Sequence, residues 1–237
     1  MKDASAVFYA VGDVHGCLSL LKKIDLLIAS DDQDREKIVV MLGDYVDRGP
    51  ASAQVLDYLN TRPPANFRRI CLAGNHEETM LSFLEDPTTN GGWLDYGGFE
   101  TLRSYGIDTS EIVANRTRPK KLAQILESHI PGDHVEFLRQ LPVMVCSPDY
   151  VMVHGGLRQG VPIADQLDHD LMWLRAGGDA TPGHRANRVL IHGHTPVSTA
   201  LITPHRICVD TEAYRTGVLS AVRVRSDEAV KVLSCTA

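Results

Sequence analysis

The sequence predicts an α/β fold built on parallel strands that alternate with helices. Two observations favour this class. Short apolar runs recur along the chain, and each is followed by a glycine or histidine and then by a polar side chain. Helical periodicity fills the spaces between the first three runs. Strands that alternate with helices pair in parallel through right-handed crossovers, so this order predicts a βαβαβ core.

Five apolar runs are predicted to form buried strands. Continuous runs of β-branched and apolar residues bounded by glycine are typical of strands that are covered on both faces. These runs are residues 6–11, 38–42, 70–73, 150–153 and 189–191. A glycine after a strand permits a sharp turn and lets the backbone approach a ligand closely.

Two helices are predicted between the first three strands. Residues 18–28 place apolar side chains on one helical face, and residues 52–59 repeat this pattern. Asp13, Asp44 and Asn75 follow the three strands at equal intervals of 31 residues, and each interval accommodates one crossover. We therefore expect these side chains to be neighbours at the carboxyl edge of the sheet, where such folds bind ligands.

The remaining segments are predicted to complete one domain that spans residues 1–237. Residues 78–141 contain helical patches and glycine-rich stretches, which we interpret as a mainly helical insertion flanking the site. Residues 221–225 and 229–233 alternate in polarity around a polar turn and predict a hairpin. The length of 237 residues suits a single α/β domain.

Composition excludes several classes of protein. The net charge of −6 argues against a nucleic-acid binder that acts through a basic surface. Five cysteines without CxxC spacing indicate reduced thiols. The N-terminal apolar stretch runs directly into a charged motif, which leaves no space for a secretory signal, and no run approaches membrane-spanning length. We expect a cytoplasmic protein with no nucleic-acid and no membrane partner.

The polar side chains at the strand ends are candidate metal ligands, because carboxylate, amide and imidazole groups all suit divalent metals. Each motif alone has an ordinary structural explanation as a turn, a surface ion pair or a helix N-cap. Their coincidence at five strand ends favours a site for two metal ions. The motifs are Gly-Asp-Val-His-Gly at 12–16, Gly-Asp-Tyr-Val-Asp-Arg-Gly at 43–49, Gly-Asn-His-Glu at 74–77, His-Gly-Gly at 154–156 and His-Gly-His-Thr-Pro at 192–196.

This set of motifs resembles that of the calcineurin-like metallophosphoesterases. The first three motifs together resemble the phosphoprotein phosphatase branch, including its bacterial and phage members. The resemblance extends from Gly12 to about Thr211 and includes the segments 90–92 and 101–106 of the insertion. It implies a metallophosphoesterase β-sandwich whose βαβαβ core is flanked by helices.

The resemblance also implies a role for each motif residue. Asp13 and His15 would bind one ion and Asp44 would bridge to a second ion held by Asn75, His154 and His194. His76 would be the general acid, oriented by Asp47. Arg48 and Arg175 would bind phosphate oxygens, with Arg185 and Arg188 as competitors of Arg175. His192 is interpreted as a packing residue or as a residue just outside the ligand set.

The implied chemistry is direct attack on phosphorus by a hydroxide that bridges two cations, which lower its pKa. No covalent nucleophile is needed, and none of the cysteines lies in the Cys-x5-Arg loop of a cysteine phosphatase. The mixed nitrogen and oxygen ligand set suits Mn, Fe or Zn, of which Mn is our expectation.

Three functions are compatible with these residues. The first is hydrolysis of phosphoserine or phosphothreonine in proteins, with small phosphoesters as further substrates. The second is hydrolysis of dinucleoside polyphosphates such as diadenosine tetraphosphate. The third, a non-catalytic binding module, is disfavoured because every ligand position and the acid are present. We expect substrate choice to depend on residues 78–141 and 210–217, and we interpret Trp93, Tyr96 and Tyr214 as core residues.

Overall fold

The computed structural model describes residues 7–32, 35–64, 67–175, 188–225 and 227–237. Within these residues, ten strands form two mixed sheets of five strands each. The first sheet has the order β10-β9-β1-β2-β3. Its strands are β1 (Val7–Val11), β2 (Lys37–Met41), β3 (Phe67–Cys71), β9 (Val218–Val224) and β10 (Lys231–Thr236).

The predicted βαβαβ core is confirmed. Strand β2 pairs in parallel with both β1 and β3. Helix α1 (Leu18–Ser30) connects β1 to β2, and helix α2 (Ser52–Asn60) connects β2 to β3. Helix α1 forms because its apolar side chains recur at helical spacing, and that face, which includes Leu21, Ile24 and Ile28, is buried against the sheet.

The fourth and fifth predicted strands belong to a second sheet with the order β4-β5-β6-β8-β7. The pattern of apolar runs did not indicate that the predicted strands belong to two different sheets. It also missed β4, β7 and β8, because strands of two or three residues carry too little periodicity to be recognised. The strands of this sheet are β4 (Met144–Cys146), β5 (Tyr150–Val153), β6 (Val189–His192), β7 (Leu201–Ile202) and β8 (Arg206–Cys208).

The two sheets pack face to face as a β-sandwich. Side chains from both sheets form one buried cluster, in which Val40 and Leu72 of the first sheet region meet Met152 and Ile191 of the second. Strands covered on both faces need apolar residues at every position, which explains the continuous apolar runs. The α/β class with a β-sandwich is thereby confirmed.

Helices cover the other face of the first sheet. Residues 78–141 are mainly helical, as the sequence predicted, and pack onto α2 and the sheet through a second, larger core. The helices of this region are α3 (Asn75–Glu85), a 3₁₀ turn (Gly91–Tyr96), α4 (Gly98–Ser104), α5 (Thr109–Ala114), α6 (Pro119–His129) and α7 (Gly132–Arg139).

Two further short helices follow the insertion, α8 (Asp168–Trp173) and α9 (Ala213–Thr216). The predicted C-terminal hairpin is confirmed as β9 and β10, which pair antiparallel with Arg223 opposite Lys231. Strand β9 begins before the predicted start and ends one residue earlier than predicted, whereas β10 begins two residues later and ends three residues later. No helix in the described part of the chain combines the length and hydropathy that a bilayer crossing requires.

Candidate metal centre

Five loops that follow strands of both sheets meet at one edge of the sandwich. The loops after β1, β2 and β3 carry Asp13, Asp44 and Asn75, and these strands are adjacent, as the equal spacing predicted. The loops after β5 and β6 carry His154 and His194 from the second sheet. The sandwich therefore joins two groups of polar side chains that lie far apart in the sequence.

Asp44 lies at the centre of this cluster. Its Oδ2 is 3.4 Å from Nε2 of His15, and its Oδ1 is 3.2 Å from Nε2 of His154. Two groups of potential ligand atoms, each within 4.8 Å of one another, share this carboxylate: His15, Asp44 and His76 in one, and Asp44, His154 and His194 in the other. A carboxylate with an oxygen facing each group can bridge two cations.

The orientation of two imidazoles fits metal binding. Nδ1 of His15 donates a hydrogen bond to the carbonyl of Val46 at 2.7 Å, and Nδ1 of His154 donates to the carbonyl of Leu42 at 2.9 Å. These bonds leave Nε2 of each ring facing Asp44. A metal-ligating histidine is usually fixed in this way by a partner on its other nitrogen.

Two further predicted ligands complete the surroundings of Asp44. The amide oxygen of Asn75 lies 3.0 Å from Nε2 of His154. The carboxylate of Asp13 is buried and accepts the backbone N–H of His194 at 3.1 Å, so it lies beside the two compact groups and outside both. The donor set of carboxylates, imidazoles and one amide fits a pair of divalent cations.

The charges of the centre favour a bound cation. Burial raises the pKa of Asp13 well above its ordinary value, and the nearby carboxylate of Asp210 raises it further. Burial also opposes ionisation of Asp44, but the imidazoles around it, led by His154, hold its pKa well below the usual range. Burial would lower the pKa of His154, yet the charge of Asp44 raises it to about 10. Positive charge is therefore stabilised between these groups.

His76 and Asp47 form a buried pair beside Asp44. Nδ1 of His76 lies 2.6 Å from Oδ2 of Asp47, and its Nε2 faces the centre at 3.9 Å from Asp44. Two residues of the insertion hold Asp47: the indole N–H of Trp93 donates to Oδ2 at 2.8 Å, and the hydroxyl of Thr101 donates to Oδ1 at 2.7 Å. Sequence reasoning missed both supports, since nothing local links them to Asp47.

Glu77 is a further residue beside Asp44 whose role the sequence did not reveal. Its buried carboxylate accepts four backbone N–H groups. Oε2 accepts from Asp44 at 2.8 Å and from Gly74 at 2.9 Å. Oε1 accepts from Tyr45 at 2.7 Å and from Val46 at 3.2 Å. Glu77 therefore ties the loop that carries Asp44 to the first turn of α3, as a capping-box residue does.

The predicted phosphate-binding arginines differ in their surroundings. Nη1 of Arg48 lies 3.2 Å from Nε2 of His15, and its guanidinium lies over the ring of Tyr214 at 4.9 Å. Burial, with the charge of His154, lowers the pKa of His194 to about 4, and the exposed Arg175 lies close enough to add a smaller effect in the same direction. Arg188 lies near Cys146 of β4, and Arg185 lies outside the described residues.

His192 fits the packing interpretation. The residue is fully buried, and its Nδ1 lies 2.8 Å from the carbonyl of Gly193. Burial lowers its pKa to about 4, so the ring is neutral at physiological pH.

Asp210 follows β8 and was not predicted as a site residue. Among the charged groups around Asp13, it is the one that raises the pKa of Asp13 most. The apolar run before Asp210 repeats the pattern of the other strand ends, and this pattern could have identified Asp210 as a candidate residue from the sequence.

The interpretation of three aromatic residues as core is right for one of them. Trp93 is buried and packs on Phe83. Tyr96 is 59% exposed, and its ring centroid lies 6.4 Å from that of His76. Tyr214 is half-buried, with its ring edge-on to His15 at 5.3 Å. The core interpretation is wrong for both tyrosines, because they line the approach to the centre.

Known proteins with similar sequences hydrolyse phosphate esters or anhydrides. Serine/threonine-protein phosphatase 2 of Salmonella typhimurium is 27% identical over 226 residues, which are 92% of each chain. The symmetrical bis(5'-nucleosyl)-tetraphosphatase of Aromatoleum aromaticum is 28% identical over 153 residues, and the match spans only 45% of that relative's length. The asymmetrical bis(5'-nucleosyl)-tetraphosphatase PrpE of Halalkalibacterium halodurans is 23% identical over an alignment 251 positions long, which covers 96% of this chain and 94% of the relative.

Solved structures share the fold. A candidate diadenosine tetraphosphatase superposes with a TM-score of 0.67 at 19% identity, over 99% of this chain and 96% of the other. The cold-active protein-tyrosine phosphatase of a psychrophilic Shewanella has a TM-score of 0.60 at 19% identity, over 98% of this chain and 82% of the other.

The sequence model of the calcineurin-like phosphoesterases matches residues 6–219, nearly the whole chain. This family uses divalent metal ions at a dinuclear site, and the described residues supply ligand groups for such a site around Asp44. The chain therefore belongs to the calcineurin-like phosphoesterase family.

Proposed function

We propose that this protein is a metal-dependent phosphomonoester hydrolase that acts on phosphoserine and phosphothreonine in proteins. The observation that carries the proposal is the position of Asp44, which lies between His15 on one side and His154 and His194 on the other and is faced by the His76–Asp47 pair. A dinuclear site with a histidine–carboxylate pair at its edge has the parts that phosphoester hydrolysis requires.

We assign the metal ligands residue by residue. Asp13, His15 and Asp44 would hold one ion, and Asp44, Asn75, His154 and His194 the other. When bound, two divalent cations supply an activated water and neutralise the charge of the phosphoryl group. Manganese is the metal we propose, with iron and zinc as alternatives, because the ligands mix imidazole nitrogen with carboxylate and amide oxygen.

The protein side chains act on the substrate around these ions. Arg48 and Arg175 bind the phosphate oxygens through their planar guanidinium groups. His76 donates a proton from Nε2 to the leaving oxygen. Asp47 accepts the Nδ1 proton of His76 at 2.6 Å, which fixes the tautomer and stabilises the protonated ring. The charge of Asp44, together with Asp47, raises the pKa of His76 against the effect of burial, which favours the protonated ring that a general acid needs.

The preference for a protein substrate rests on the Gly-Asp-Tyr-Val-Asp-Arg-Gly and Gly-Asn-His-Glu motifs, and on the match over 92% of both chains to a serine/threonine-protein phosphatase. The second candidate is a dinucleoside tetraphosphate. The match over 94% of an asymmetrical bis(5'-nucleosyl)-tetraphosphatase favours it.

We further propose a cytoplasmic location, which the five free cysteines support.

The test compares kcat/KM for a phosphoserine peptide and for diadenosine tetraphosphate, with the purified protein in Mn²⁺. We expect the phosphopeptide to be the better substrate and chelation to abolish both activities. Much faster cleavage of the dinucleotide would contradict the protein substrate and favour the second candidate. Turnover of neither substrate with any of Mn²⁺, Fe²⁺ or Zn²⁺ would contradict the hydrolase proposal itself.

A further inference from the structure

A cavity of about 500 Å³ opens beside the candidate metal centre. Its walls are residues 94–97, 99 and 100, together with Arg48 and Tyr214. Arg48 connects the cavity to the centre, because its Nη1 lies 3.2 Å from Nε2 of His15. A substrate whose phosphate is bound at Arg48 therefore places its next groups in this cavity.

The cavity offers an aromatic face and a carboxylate to whatever enters it. Tyr96 is 59% exposed, an unusual state for a large aromatic side chain. Asp95 is exposed beside it, and its carboxylate makes no hydrogen bond or ion pair within the described ranges. Glu100 is a second acidic group of the lining, paired with Arg103 at 2.8 Å.

The positive charge of the cavity wall belongs to a residue that also contacts the candidate centre. Arg48 is the cationic residue of the described lining, and its guanidinium lies against the ring of Tyr214 and beside His15. Beyond Arg48 the wall holds the carboxylates of Asp95 and Glu100, and the charge of Glu100 is paired with Arg103, whose guanidinium also lies over the ring of Phe99 at 5.9 Å. This leaves the exposed carboxylate of Asp95 as the charge of the wall that can attract a basic group.

We propose that this cavity is a subsite for a lysine or arginine side chain that lies next to the phosphorylated residue of a peptide substrate. The cation contacts the ring of Tyr96 and the carboxylate of Asp95. The reach is suitable, because the rings of Tyr96 and His76 are 6.4 Å apart and the long, flexible side chain of a basic residue beside the phosphoserine can span such a distance. This inference rests on the proposed phosphatase function and defines which phosphopeptides it favours.

The experiment measures kcat/KM for three phosphoserine peptides that differ only in the residues flanking the phosphoserine, which are Lys, Ala or Glu. We expect the order Lys, Ala, Glu, with about a 3- to 10-fold advantage of Lys over Ala that lies in KM. The advantage should shrink as ionic strength rises. In Asp95→Asn and in Tyr96→Ala the Lys-to-Ala ratio should fall towards one.

Asp165→Asn is the matched control, because Asp165 is an exposed aspartate outside the cavity wall and its replacement removes the same charge. This variant should keep the full Lys-to-Ala ratio. Equal kcat/KM for the three peptides, or an equal loss of preference in Asp165→Asn, would overturn the subsite while leaving the hydrolase proposal intact. Failure to hydrolyse any of the three peptides would contradict the phosphatase function on which the subsite depends.

Discussion

At the scale of single residues, the backbone of Asp44 has an uncommon conformation at the point where the two groups of ligand atoms meet. Its φ of 54° lies in the left-handed region, which non-glycine residues seldom occupy. His15 and His194 share this conformation, with φ values of 41° and 58°. Backbone strain of this kind persists only where surrounding contacts over-determine it, and it concentrates at functional sites.

The first residue-scale prediction concerns His76. In His76→Asn the proton donor is lost, while the Asp44 carboxylate and the groups around it stay in place. We expect kcat to fall by roughly 10²–10⁴-fold, the usual share of general acid catalysis. Metal content, measured by atomic absorption, should not change. Turnover equal to that of the wild type would remove His76 from the mechanism.

A second prediction concerns Glu77, whose carboxylate holds four backbone N–H groups around Asp44. In Glu77→Gln an amide NH₂ replaces one oxygen and faces two N–H donors. We expect the free energy of unfolding to fall by about 1–3 kcal/mol, the cost of leaving buried N–H donors without an acceptor. Urea denaturation measures this change.

Glu85→Gln is the control for Glu77→Gln, because Glu85 lies on the same helix, is exposed and forms only a surface ion pair with Arg139 at 3.7 Å. Its effect should stay within about 0.5 kcal/mol. Equal stability of the two variants would show that the Glu77 carboxylate does not hold the loop.

At the scale of elements, the loop after β1 depends on close contact with the end of β8. A Cβ added at Gly12 would lie 2.3 Å from the carbonyl oxygen of Val209, which is backbone and cannot rotate away. Gly12→Ala should therefore lower the free energy of unfolding by about 1–3 kcal/mol through overpacking. Thermal denaturation followed by circular dichroism measures the change.

Gly132→Ala is the matched control for Gly12→Ala, because a Cβ at Gly132, in the first turn of α7, has no other atom within 4 Å. Alanine also favours the helix, so this variant should be as stable as the wild type or slightly more stable. A Tm loss of the same size in both variants would contradict the role assigned to the contact between Gly12 and Val209.

At the scale of the whole molecule, the sandwich brings acidic and imidazole groups of both sheets into one buried centre. A cation bound there stabilises the folded state alone, by about 2.7 kcal/mol at a concentration of 100 Kd. We expect saturating Mn²⁺ to raise Tm by roughly 5–10 °C over the chelated protein. In Asp44→Asn the shift should be lost, and in Asp165→Asn it should be kept. An equal shift in Asp44→Asn would contradict the bridging position of Asp44.

The sequence by itself determined the βαβαβ core and the residues of the candidate centre. This was possible because the signals are local: an apolar run predicts a buried strand, and the carboxyl ends of adjacent parallel strands share one edge. Asp13, Asp44 and Asn75 could thus be placed together from their spacing alone. The same pattern at two later strand ends added His154 and His194 to this group, and the resemblance of the motifs gave each residue its expected role.

Only the tertiary structure decided how the second sheet, the insertion and Glu77 contribute. His154 reaches Asp44 because two sheets pack face to face, and Trp93 and Thr101 reach Asp47 across 46 and 54 residues of chain. Tyr96 and Tyr214 likewise proved to border the centre instead of the core. Contacts between distant residues follow from packing, and packing leaves no periodic signal in the sequence of either partner.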